Sequence, residues 1–91
     1  MDETEQQAFL SRAAAFVELC NSQAKDVPGE KVAMSALYGV TRYCAWLCKR
    51  ANGSGPEMAG RRAEALKMFS DEFNRMFGDW YDHYAELFDQ N

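Results

Sequence analysis

The chain has 91 residues, of which 47% are hydrophobic and 26% charged, and its formal net charge is −4. These values predict one folded domain over residues 1–91 and exclude an intrinsically disordered chain. The ten Lys and Arg residues form no dense run. We therefore expect no nucleic-acid partner, because phosphate neutralisation needs clustered positive charge.

Two features of the chain bear on where it works in the cell. Its first residues, Met1 to Glu5, are acidic where a signal peptide would be basic. The longest charge-free run in its middle segment, 32–41, is about half the length of a membrane span. We expect a cytoplasmic protein with no membrane partner. The odd number of cysteines, three, suits reduced thiols in a cytosol better than a disulfide framework.

The first predicted helix begins at an Asp2 cap, with Glu5 three residues later as in a capping box. Apolar residues recur at helical spacing from Phe9 to Ala24. Pro28 predicts that the helix ends near Lys25, because the residue before a proline avoids helical geometry.

The second predicted helix covers Gly29 to Ala51 and begins after Asp26 or Pro28. Its apolar residues fall within about 160° of a helical wheel, which predicts a buried face against the first helix and the early turns of the third. The face comprises Val32, Ala33, Ala36, Leu37, Val40, Tyr43, Cys44, Leu47 and Cys48. The dipeptide Asn52-Gly53 predicts a left-handed cap at its end.

The opposite side of this helix combines positive charge, aromatic rings and small residues. We call it the basic strip, and it comprises Lys31, Met34, Ser35, Tyr38, Gly39, Arg42, Trp46 and Lys49. Gly inside a helix costs about 1 kcal/mol relative to Ala, so Gly39 suggests that another backbone packs closely here. The strip is our candidate partner surface, although long side chains covering their own helix would also explain it.

The third predicted helix begins at Ser54, with Pro56 in its first turn and Glu57 at its third position. One helical phase continues to Phe88, so the helix would span about 50 Å against about 30–35 Å for each of the others. Its last turns would overhang a bundle unless the chain bends at Gly78 or a second copy covers them. We call these last residues the aromatic seam and predict self-association through Phe77, Trp80, Tyr81, Tyr84, Leu87 and Phe88.

No group of residues predicts catalysis or a cofactor. Cys44 and Cys48 lie four apart on one face without the Cys-x-x-Cys spacing of a zinc site, so we expect small buried side chains and no metal. His83 is the only histidine and is interpreted as a surface residue at the edge of the seam. The carboxylates of the third helix occupy its polar face, and several have a base one turn away. We therefore expect a protein that is not an enzyme.

Several short motifs resemble one known family. They are Phe9-Leu10-Ser11-Arg12-Ala13 with Phe16, Asn21 to Ala24, Gly29 with Lys31-Val32, Ser35-Ala36-Leu37-Tyr38, and Arg42-Tyr43. In these the chain is similar to the small bacterial proteins of the domain-of-unknown-function 3144 family. The resemblance implies a bacterial protein and supplies no activity, substrate or cofactor. The family pattern has a polar residue in place of Cys44, which argues against a shared thiol function.

Together these patterns predict an all-α, three-helix up-down-up bundle whose third helix is long, with Gly78 as a candidate kink. The leading functional hypothesis is a non-catalytic module that forms a homodimer or docks another protein. The alternative is a sensor that binds a small apolar ligand in the aromatic seam of the third helix.

Overall fold

The computed structural model describes residues 1–88. The described chain is all-helical, which confirms the predicted class. It forms four helices: α1 over Glu3–Gln23, α2 over Gly29–Ala51, α3 over Gly55–Gly60 and α4 over Arg62–Leu87.

The first compact unit, Met1–Ala45, contains α1 and most of α2. The predicted cap of α1 is present, since the Asp2 carboxylate accepts a hydrogen bond from the Glu5 N–H at 2.8 Å. After α1, the Ala24 N–H donates to the Cys20 carbonyl at 2.9 Å. The Pro28 carbonyl then accepts from the N–H groups of Lys31 and Val32, so proline precedes the first turn of α2 as predicted.

The second compact unit, Trp46–Asn91, contains the last turns of α2 together with α3 and α4. The predicted left-handed cap at the end of α2 is wrong, because no residue in the described part of the chain has a positive φ. The Asn52 side chain ends the helix instead: its Nδ2 donates to the Cys48 carbonyl at 2.7 Å. A side-chain donor thus satisfies a carbonyl that the last turn leaves unpaired.

The start of α3 follows the predicted capping pattern. The Ser54 hydroxyl accepts from the Glu57 N–H at 3.2 Å, and the Glu57 carboxylate accepts from the Gly53 N–H at 3.0 Å. Two N–H groups at the helix start are therefore satisfied by reciprocal side-chain contacts.

The predicted long third helix is divided at Arg61, so the prediction of three helices is wrong by one. Arg61 has φ −99° and ψ 5°, outside helical geometry, and its N–H donates to the Met58 carbonyl at 3.1 Å in a tighter turn. The break follows Gly60, the residue type that loses most backbone freedom in a helix. With 26 residues, α4 is about 39 Å long.

The helix α4 continues without a break through Gly78, the candidate kink. Rings one turn apart contact each other across it. The Phe73 and Phe77 rings stack with centroids 5.6 Å apart, and the Phe77 and Tyr81 centroids are 5.9 Å apart. Contacts at i and i+4 stabilise a helix, and here they extend from the turn before the glycine to the turn after it.

Burial is much lower than the predicted core requires. Val32, 4% exposed, is the one buried hydrophobic residue among the described residues. On the predicted buried face of α2, Ala36, Cys44 and Cys48 are only half-buried. Larger members of that face stay exposed, namely Leu37, Val40, Tyr43 and Leu47. The predicted burial of this face is therefore not found for its large side chains.

Candidate functional site

The aromatic seam occupies the last turns of α4 and its C-terminal cap, Phe88. All six of its side chains are exposed, with Trp80 at 61%, Tyr81 at 66% and Phe88 at 82%. The rings lie along the helix in two rows at four-residue spacing. One row runs from Phe73 through Phe77 to Tyr81, and the other joins Trp80 to Tyr84 with centroids 6.0 Å apart.

The exposed area of this seam can be estimated from the exposed fractions of its side chains. An aromatic side chain offers about 150–250 Å², so five rings at the observed exposures, with Leu87, present roughly 700 Å². The largest apolar patch of a typical monomer is about 300–600 Å². The area of the seam therefore lies above the upper end of this range.

Ring packing leaves an open recess of about 480 Å³ within the seam. Its lining comprises Phe77, Trp80, Tyr81, Tyr84, Ala85 and Phe88. All of these residues come from one helix and its cap, so the recess has a floor but no opposing wall. Small-molecule sites bury about 70–90% of their ligand, which a surface of this kind cannot do without a second element.

His83 lies at the edge of the seam, as predicted, and belongs to its ring cluster. Its imidazole is edge-on to Trp80, with centroids 5.5 Å apart, and 5.4 Å from the Tyr84 ring. The sequence prediction gave these contacts no role. The signal was available, because His83 lies three residues after Trp80 and one residue before Tyr84. The arrangement makes His83 a packing neighbour of Trp80 and Tyr84.

All eight residues of the basic strip are exposed along α2. Among the large hydrophobic side chains of the strip, Tyr38 is the most accessible, at 74%. A Cβ added to Gly39 would meet nothing within 4 Å, so the close packing predicted at this glycine is not supplied by the described chain. The strip is thus a surface whose charged and aromatic groups are all accessible to solvent.

Trp46, at one end of the strip, has a cationic neighbour that sequence reasoning missed. The Arg50 guanidinium carbon lies 5.1 Å from the centroid of its ring, in a cation–π contact. The four-residue spacing on one helix was the available signal. Arg50 adds a further positive charge beside Lys49 at the C-terminal end of α2.

The ion pairs of the described residues all lie within α4. Lys67 Nζ is 2.7 Å from the Asp71 carboxylate, and Arg75 is 2.7 Å from Glu72 and 4.0 Å from Asp79. The hydrogen bond and the charge of Glu72 raise the pKa of Arg75, and the Asp79 charge adds to this. Every partner is exposed, so these pairs add little stability and can exchange for others.

Cys20, Cys44 and Cys48 are free thiols with half-buried side chains. Within residues 1–88, no three His, Cys, Asp or Glu side chains lie close enough together to hold a metal ion. Over the same range, no helix is both long and apolar enough to cross a membrane.

One family model matches residues 9–85, and its description is "Protein of unknown function (DUF3144)". The chain belongs to this family. The DUF3144 match confirms the resemblance found in the sequence. It covers the whole basic strip and four of the six seam residues, leaving out Leu87 and Phe88. No curated protein and no solved structure matches the chain significantly.

Proposed function

We propose that this DUF3144 protein is a non-catalytic module that associates with further copies of itself through the aromatic seam of α4. The observation that carries the proposal is the exposure of that seam on a regular, capped helix. Five aromatic side chains and one leucine point to solvent over twelve residues. Apolar surface gains free energy when it leaves water, and a continuous patch of this kind gains most against a similar patch.

The size of the patch fits a pair of copies. Roughly 700 Å² on each copy gives about 1,400 Å² in total, within the 1,200–2,000 Å² of a stable protein interface. Its composition fits as well, because Trp and Tyr are enriched among the residues that dominate binding energy. A two-fold axis would place the same seam on both sides of the contact.

The test is the mass of the protein in solution, measured by sedimentation equilibrium from about 1 to about 100 µM. We expect a mass above that of one chain at tens of micromolar. The Trp80→Ala/Tyr84→Ala variant should need at least a tenfold higher concentration to associate, because each truncated hot-spot side chain typically costs over 1 kcal/mol. A matched control is Glu72→Ala/Asp79→Ala, which changes two residues on the polar side of the same helix. Wild-type protein with the mass of one chain throughout would refute the proposal.

The recess in the seam supports one other function, a sensor for small apolar ligands. Its volume of about 480 Å³ is within the range of ligand sites, although its walls come from one helix. A ligand that binds only the folded state must raise the melting temperature. A panel of apolar and aromatic metabolites that leaves the melting curve unchanged would reject this function.

A further inference from the structure

His83 is the one member of the ring cluster at the seam that can gain a positive charge near neutral pH. It is also the only histidine of the chain. Histidine is the side chain whose charge ordinarily changes between about pH 5 and about pH 8. Asp and Glu titrate mostly below this range, and Tyr titrates above it. A change of pH across this range therefore alters the charge of the cluster at one residue.

The imidazole of His83 is packed against rings and not against carboxylates. Its centroid lies 5.5 Å from that of Trp80 and 5.4 Å from that of Tyr84, and both of these rings belong to the seam. No ion pair among residues 1–88 includes His83. A positive charge on this imidazole thus has no carboxylate oxygen of the described chain within 4 Å.

The charged residues nearest to His83 along α4 are three acids. Asp79 and Glu86 lie four residues before it and three after it, and Asp82 directly precedes it. These acids are on the same helix whether the protein is a single copy or an assembly. Their attraction for a charged imidazole is therefore present in both states and favours neither.

The short helix α3 contributes no charge near the imidazole. It ends at Gly60, and α4 begins at Arg62. His83 lies 21 residues beyond Arg62, which is about 30 Å along the helix axis. The one carboxylate of α3, that of Glu57, is therefore remote from His83.

Association through the seam would remove water from around this imidazole. The approaching surface would be a second seam, whose aromatic and leucine side chains carry no charge near neutral pH. Once the Trp80 and Tyr84 rings are covered, the imidazole packed against both of them loses water as well. Loss of water disfavours the charged form of histidine, and a charge without a partner is costly in an apolar interface. A neutral imidazole can remain there as one more packed ring.

We propose that protonation of His83 weakens self-association through the seam, so that the assembly loosens as the pH falls from about 7.5 to about 5.5. The proposal rests on the self-association proposed above and gives it a regulator. At the upper end of the range the imidazole is neutral and permits association, whereas at the lower end it is charged and opposes association. By linkage, association within this range releases protons.

Sedimentation equilibrium at about pH 7.5 and about pH 5.5, at one ionic strength, tests the proposal. Two imidazoles are affected in each pair, so the concentration needed for association should be roughly tenfold higher at the lower pH. The matched controls are His83→Phe, which retains a ring, and His83→Gln, which retains a neutral polar side chain. Neither side chain takes up a proton in this range, so both variants should lose most of the tenfold difference. Both retain every other titratable group, and any pH dependence that they show belongs to those groups.

Circular dichroism should show the same helix content for wild type and both variants, since His83 is exposed. Equal pH dependence of wild type and both variants would overturn the role of His83 while self-association stands. Tighter association of wild type at the lower pH, absent from both variants, would also overturn it and would place a carboxylate of the other copy beside His83. If wild type has the mass of one chain at both pH values up to about 100 µM, both proposals fail.

Discussion

Replacement of Ser54 by alanine should lower stability by an amount that the capping geometry fixes. The Ser54 hydroxyl accepts a hydrogen bond from the Glu57 N–H at 3.2 Å, and the substitution removes that acceptor. Loss of a helix cap costs about 0.5–2 kcal/mol. Both groups are exposed, so water can replace the hydroxyl in part, and we expect about 1 kcal/mol. For a chain of this size, that lowers the melting temperature by roughly 4–8 °C.

Urea denaturation followed by circular dichroism measures this change, at one protein concentration because association stabilises the folded state. The midpoint should fall while the slope with denaturant stays constant. Ser54→Asp is the control, since its carboxylate can accept the same hydrogen bond and favours the start of a helix. Equal midpoints for Ser54→Ala and wild type would refute the role assigned to this cap.

Two further substitutions test local features of α2. Gly39→Ala should raise the free energy of unfolding by about 0.5–1 kcal/mol, because alanine loses less backbone freedom and its Cβ has open space. A lower value in urea denaturation would mean that another backbone approaches here. Asn52→Ala should lower stability by about 1 kcal/mol through loss of the 2.7 Å hydrogen bond to the Cys48 carbonyl, and an unchanged melting temperature would contradict this.

Local patterns in the sequence predicted the starts of α1, α2 and α3. Asp2 and Ser54 cap as expected because capping depends on a few neighbouring residues. The end of α2 differs from its prediction. Asn52-Gly53 carries a left-handed signal, yet the Asn52 amide reaches the Cys48 carbonyl and removes the need for a positive φ. Such competition between two ways of satisfying one carbonyl is invisible to sequence pattern alone.

The helical spacing of the apolar residues did not indicate whether the helix would break at Gly60 or at Gly78. Both glycines lie in one continuous apolar repeat, but the chain leaves helical geometry just after Gly60 and continues through Gly78. The rings of Phe73, Phe77 and Tyr81 support the helix around Gly78, whereas the residues beside Gly60 are small or polar and offer no such row of rings. Predicting this difference requires the side-chain conformations as well as the positions.

For the candidate surfaces, the spacing of residues along each helix predicted which of them share a side. It did not predict whether that side is buried. Leu37 and Leu47 fall on the predicted buried face of α2 and are about as exposed as Trp46 on the basic strip. Amphipathic periodicity shows that a face avoids water, and it does not identify what covers that face. The covering surface can belong to another copy, about which the sequence of one chain contains only indirect signs.

Val32 is the one buried member of the large apolar side chains of residues 1–88. This low burial has a consequence for the amount of the protein that a cell can maintain. If further copies cover its apolar faces, as proposed above, the chain gains stability as its own concentration rises. Slow synthesis would then leave more of the chain unfolded at any moment and open to proteases. Its abundance would then respond steeply to expression, with a threshold below which little survives. Dosage, as much as sequence, would set whether the protein is present in its working form.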